Sequence, residues 1–121
     1  MQGMLDVGII DGQLDDWLAN ERYKQFYMHG TGHWLGLDVH DVGVYKPHGQ
    51  SRQYQAGMVI TIEPGLYIQA NDTSVAEQWR GIGIRIEDDV ILTETGNELT
   101  SSDVPKEVHE IEALLAERSK H

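Results

Sequence analysis

The sequence predicts an α+β domain built on an antiparallel sheet. Three observations carry this: helix-like apolar spacing near the start, extended runs rich in β-branched residues in the middle, and an amphipathic helix near the end. Helices gathered before and after a block of strands belong to an antiparallel α+β architecture rather than to alternating parallel units. The chain has 121 residues, enough for one domain with one modest core.

Residues 1–10 place Met1, Met4 and Leu5 together, which predicts a short helix stopped near Gly8. Asp11-Gly12 is a turn signal. Over residues 14–23, Leu14, Trp17 and Leu18 recur at helical spacing with acidic residues between them. Glycines then punctuate residues 26–45, and the β-branched and aromatic residues among them predict bent strand and turn. Residues 46–51 read as a loop. Residues 58–62 read as a strand bent or ended by Pro64-Gly65, with an extended run resuming at 66–68. Residues 71–79 are polar and loop-like. Residues 81–92 give the clearest strand, with Ile82, Ile84 and Ile86 alternating against Gly83, Arg85 and Glu87. Residues 95–98 read as a turn and Asp88-Asp89 as a solvated strand end. A helix over 105–117 collects Val108, Ile111, Leu114 and Leu115 on one face, with Pro105 in its first turn.

Composition narrows the function. Twenty acidic residues against nine basic give a formal charge of −11. Neutralising phosphates needs clustered Lys and Arg, so nucleic acid is not an expected partner, and neither is an anionic membrane surface. No stretch approaches the length of a membrane span. With no cysteine, disulfides and thiolate ligands are excluded, and a cytoplasmic protein is expected.

The chemistry concentrates in three places. Residues 29–41 hold three histidines and two aspartates among glycines. Glu63 ends an apolar strand, where a buried carboxylate needs a partner. Glu87 shares a strand face with Arg85, which sits at the range from which it can orient a ligand carboxylate. His33, flanked by Gly32 and Gly36, is the best single ligand candidate. His29 lies four residues before it, but the glycines argue against a shared helical face. His40 lies seven after it, on the opposite face of an unbroken strand unless the chain bends at Gly36. One imidazole and two carboxylates, His33, Glu63 and Glu87, suit one divalent metal, with two further histidines free to act on a substrate.

These segments, HGTGHWLGLDVHDVG, VITIEPGLYI and RGIGIRIEDDVILTETGNELT, resemble the metallopeptidases of the aminopeptidase P and prolidase family, which has the creatinase or "pita-bread" fold. The resemblance runs through essentially the whole chain and is strongest to bacterial Xaa-Pro aminopeptidases. It implies part of a curved antiparallel sheet with flanking helices. It also implies a two-metal centre, usually manganese, that activates water against the bond preceding proline. Residue by residue, His33 and Glu63 would each ligate one ion and Glu87 would bridge both. Glu63 would also accept the proton of the attacking water. His29 and His40 match substrate-site histidines, and Arg85 matches a group beside the bridging carboxylate. The family's two upstream aspartate ligands and a further upstream histidine have no counterpart in this sequence. The chain is therefore expected to be a single partial domain, the C-terminal half of a catalytic domain, holding one ion or none and inactive alone. Its expected partners are peptides with proline in second position. A homo-oligomer is also expected, because the apolar strands would otherwise lack a partner face. A dipeptidase and a non-catalytic, self-associating half-fold are the alternatives.

Overall fold

A computed structural model describes residues 1–119, which divide into two units, each assembled from two stretches of chain. The first unit comprises Met1–Thr31 with Pro64–Arg85, and the second Gly32–Glu63 with the chain from Ile86 onward.

The first unit begins with α1 (Gln2–Asp6), which ends where Gly8 adopts a left-handed φ of 70°. That conformation suits glycine because it has no Cβ to clash with the carbonyl. Helix α2 (Leu14–Ala19) carries Asp15 and Asp16 in its first turn, against the positive end of its dipole. It is shorter than the periodicity predicts, because the chain leaves the helix at Asn20 and resumes as a 3-10 turn, Arg22–Gln25. The core is formed by Met4, Ile10, Trp17, Phe26, Ile68 and Val75. Trp17 and Phe26 pack with ring centroids 5.9 Å apart, and the Trp17 indole N–H donates to the Asp11 carbonyl. Strands β2 (Gly65–Tyr67) and β3 (Gly83–Arg85) pair antiparallel, with Gly65 opposite Arg85. A further 3-10 turn, Glu77–Trp79, lies in the segment read as loop.

The second unit is built on a three-stranded antiparallel sheet in the order β1–β4–β5, from β1 (Val59–Ile62), β4 (Asp88–Leu92) and β5 (Asn97–Leu99). Ile60, Thr61 and Val90 are its buried strand residues. Helix α3 (Val108–Arg118) starts three residues later than the sequence predicts. Glu107 is its N-cap, and a reciprocal capping box with Glu110 sets the boundary there, leaving Pro105 outside the helix. The expected apolar face of α3 exists, but Val108, Ile111, Leu114 and Leu115 are all exposed.

The middle of the chain departs further from expectation. Residues 26–45 contain no named strand; one bridge, Trp34 to Ile60, is the extent of pairing there. The long strand over 81–92 is two strands in two sheets, β3 paired with β2 and β4 paired with β1 and β5. Pro64, which has no backbone N–H to donate, separates β1 from β2, so neither partner run is a continuous ladder. The antiparallel α+β class itself holds.

Candidate metal centre

The second unit brings His33, Glu63 and Glu87 together by strand register. In the β1–β4 ladder Thr61 pairs with Asp89 and Ile62 with Asp88. The next residue outward on one side is Glu63 and on the other Glu87. Glu63 is buried, at 8% exposure, and Glu87 is exposed.

His33 reaches this pair from the other edge of β1. The Thr61 amide donates to the His33 carbonyl at 2.9 Å, and the His33 amide donates to Thr61 Oγ1 at 3.0 Å. The approach is so close that a Cβ on Gly32 would overlap the Thr61 carbonyl oxygen, which explains the glycine immediately before His33. The Thr61 hydroxyl, having accepted from His33, donates to Glu63 Oε1 at 3.0 Å. Thr61 therefore couples the backbone of one ligand candidate to the carboxylate of another.

The imidazole is oriented too. Its Nδ1 lies 2.9 Å from the Trp34 carbonyl, which can only accept, so Nδ1 carries a hydrogen. Its Nε2 then faces Glu63 Oε1 at 3.2 Å. A lone pair against a carboxylate oxygen is repulsive unless a proton or a cation lies between them. Among the described residues His33, Glu63 and Glu87 form a group whose ligand atoms all lie within 4.8 Å of one another. Donors about 2.0–2.2 Å from one ion stand up to roughly 4.4 Å apart, so the group closes on an ion with small side-chain movements. The nitrogen-plus-carboxylate set fits a divalent metal.

His40 stands beside His33, outside this donor group. The chain bends through residues 36–41, where Gly36 N–H donates to the Asp38 carbonyl and Asp41 N–H to the Trp34 carbonyl. The bend sets the His33 and His40 rings edge-to-face with centroids 4.4 Å apart.

His29 and Arg85 lie in the first unit, joined by a residue the sequence reading passed over, Tyr67. His29 Nδ1 sits 2.7 Å from the Gly30 carbonyl, which leaves Nε2 as an acceptor. The Tyr67 hydroxyl lies 2.8 Å from that Nε2 and accepts from Arg85 Nε at 2.7 Å. A directed chain results, Arg85 to Tyr67 to His29. Tyr67 comes two residues after Gly65, whose absent Cβ makes room for the phenol. The strand expected to carry Arg85 and Glu87 on one face is interrupted between them: β3 ends at Arg85 and β4 starts at Asp88. A separate, largely apolar cavity of about 660 Å³ in the first unit, lined by Met4, Val7, Leu18, Tyr27 and Leu66 among others, holds none of the predicted site residues.

Asp88 is not the solvated strand end that the sequence suggests. It opens β4 half-buried, and its carboxylate accepts from Lys106 Nζ and from Ser101 Oγ. The Lys106 ammonium first, and the Ser101 hydroxyl second, hold its carboxyl below the usual aspartate range.

The sequence profile of metallopeptidase family M24 matches residues 5–94. The chain belongs to metallopeptidase family M24. Within M24 it is 53% identical to the Xaa-Pro aminopeptidase of Haemophilus influenzae over 116 residues, 94% of this chain and 26% of that protein. The solved aminopeptidase PepP of Pseudomonas aeruginosa superposes with a TM-score of 0.92 at 51% identity, over 99% of this chain and 27% of that one. Aminopeptidase P of Escherichia coli, solved with the inhibitor Pro-Leu, gives 0.89 at 52% identity over the same shares. The chain thus spans about a quarter of the length of these M24 relatives. Membership of a metallopeptidase family and the donor set point to the same requirement, a divalent metal.

Proposed function

We propose that this chain supplies metal ligands and substrate-side groups for hydrolysis of the peptide bond between an N-terminal residue and a following proline. The observation that carries the reading is the convergence of His33 with Glu63 and Glu87, two glutamates that follow paired strand positions. His33, Glu63 and Glu87 would hold a divalent metal, which the family resemblance makes Mn²⁺. The bound metal supplies Lewis acidity toward the scissile carbonyl and lowers the pKa of water. Glu63, oriented by the Thr61 hydroxyl, accepts the proton of the attacking water. His40, ring against ring with His33, offers a donor to the charge that develops on the peptide oxygen. His29, its ring held by Tyr67, is assigned to the substrate side by the family resemblance. Arg85 keeps Tyr67 and His29 aligned. The names of the relatives, Xaa-Pro aminopeptidases, support the substrate class.

In this reading the chain alone is inactive, because the family's two aspartate ligands have no counterpart in its sequence. Calorimetric titration of the pure chain with Mn²⁺, with Glu87→Ala as control, tests the metal centre. Binding near one ion per chain, lost in the control, is the expected result; identical traces for the two proteins would overturn it. Turnover of an Xaa-Pro peptide by the pure chain with Mn²⁺ would overturn the inactivity.

A self-associating, non-catalytic role is favoured by a different observation: Val108, Ile111, Leu114 and Leu115 on α3 are between 43 and 71% exposed. Apolar residues gathered on one helix face seek a partner surface. Sedimentation of a monomer at micromolar concentration would remove this reading.

A further inference from the structure

Glu87 lies outside the named strands, between β3 and β4, yet it must hold its carboxylate steady to serve as a ligand. The residue after it is held unusually well. Asp88 Oδ1 accepts from Ser101 Oγ at 2.8 Å and from the Lys106 ammonium. The Ser101 hydroxyl also accepts from the Asp89 amide at 3.0 Å. Thr100 donates from its amide, at 2.9 Å, and from its hydroxyl, at 3.2 Å, to the Asp89 carbonyl. The two residues that open β4 are therefore gripped at side chain, amide and carbonyl by the segment after β5. Lys106 is fixed in turn, since its backbone amide donates to Glu110 Oε2 within the α3 capping network. In a chain with 20 acidic and 9 basic residues, a lysine committed to this aspartate is a distinct arrangement.

We propose that Lys106 and Ser101 are positioning residues for the Glu87 arm of the metal centre, acting through Asp88. The clamp fixes the backbone that presents Glu87. It also occupies the Asp88 carboxylate, so that this neighbouring oxygen donor does not compete for the metal. The proposal rests on the reading of His33, Glu63 and Glu87 as ligands. Outer partners that orient metal ligands commonly govern affinity tenfold or more.

The test is Mn²⁺ titration of the whole chain and of Lys106→Met, Lys106→Arg, Ser101→Ala and Glu87→Ala, with circular dichroism to establish folding. Sign separates positioning from plain charge. Deleting a nearby cation leaves the site more negative, which by Coulomb attraction tightens Mn²⁺ binding. Positioning requires the opposite: Lys106→Met binds about tenfold more weakly, and Lys106→Arg, which keeps the charge, recovers most of the loss. Tighter or unchanged binding by folded Lys106→Met overturns the proposal while leaving the metal centre standing. Should Lys106→Met fail to fold, Ser101→Ala decides: weaker binding supports the clamp, and unchanged affinity overturns it. If the parent chain binds no better than Glu87→Ala, the metal reading fails and the clamp proposal fails with it.

Discussion

Ile62 stands opposite Asp88 in the β1–β4 ladder, and the residue just beyond each of them is a glutamate. Register alone thus sets two carboxylates of one sign at neighbouring positions. Like charges at such range repel, so the arrangement is favoured when a cation is shared between them. Mn²⁺ is therefore expected to stabilise the chain against urea, by about 2.7 kcal/mol at a hundredfold excess over its dissociation constant. Glu63→Gln should reduce that gain and Glu87→Ala abolish it, measured as the shift in the urea midpoint with and without metal.

Thr61 is 2% exposed and joins His33 to Glu63 through one hydroxyl. Thr61→Val keeps the shape and removes the hydroxyl, leaving the His33 amide without that acceptor. A loss of about 1–3 kcal/mol in unfolding free energy is expected, together with weaker Mn²⁺ binding. Unchanged values in both would show that the relay is not functional.

Gly32 admits no side chain. A methyl group there meets the Thr61 carbonyl, so β1 and the segment carrying His33 must separate. Gly32→Ala should destabilise the chain by about 1–3 kcal/mol, the usual range for overpacking, and weaken metal binding. Gly49→Ala, at a position with open space but a positive φ, should cost stability without touching metal affinity.

The Gly30 carbonyl at Nδ1 and the Tyr67 hydroxyl at Nε2 together fix the tautomer of His29. Tyr67→Phe removes the shared oxygen between Arg85 and His29 at a cost of about 1 kcal/mol. Nitrogen-15 spectra of the imidazole should then show a mixture of tautomers at neutral pH in the variant, against one dominant form in the parent.

Asp72 supplies the pH dependence. Its carboxylate accepts from the Ser74 hydroxyl, from Gln25 Nε2 and from the Ser74 amide, and these bonds hold its pKa below the ordinary aspartate value. A depressed folded-state pKa contributes stability above the unfolded value, and that stability is lost as pH falls through the folded value. Urea midpoints of the parent and Asp72→Asn should therefore differ at pH 6 and converge in strong acid, below the ordinary range near about 4.

Much of this was legible in the sequence. The apolar pattern at Leu14, Trp17 and Leu18 and at Val108, Ile111, Leu114 and Leu115 located two helices, and the β-branched run at 59–62 located β1. His33, Glu63 and Glu87 were legible as one donor set because their chemistry is scarce and their glycine neighbours permit close approach. What was hidden depends on partners distant in sequence. Alternation through 81–92 says nothing about a change of pairing partner at Glu87. The bonds from Lys106 to Asp88 and from Arg85 to Tyr67 each span eighteen residues and leave no periodic trace. Thr61 looked like one more β-branched strand residue, since nothing in its spacing marks a hydroxyl shared by two groups.

The interleaving of the two units has a practical outcome for anyone cutting the gene. The backbone passes from one unit to the other at 31/32, at 63/64 and at 85/86. No single deletion from either end frees a whole unit, and a nick at any of these three junctions severs no unit internally. Protease cleavage at such a junction should leave paired fragments that stay associated through their own unit's contacts, whereas cleavage within residues 64–85 cuts through the first unit and should loosen its core while the β1–β4–β5 sheet persists.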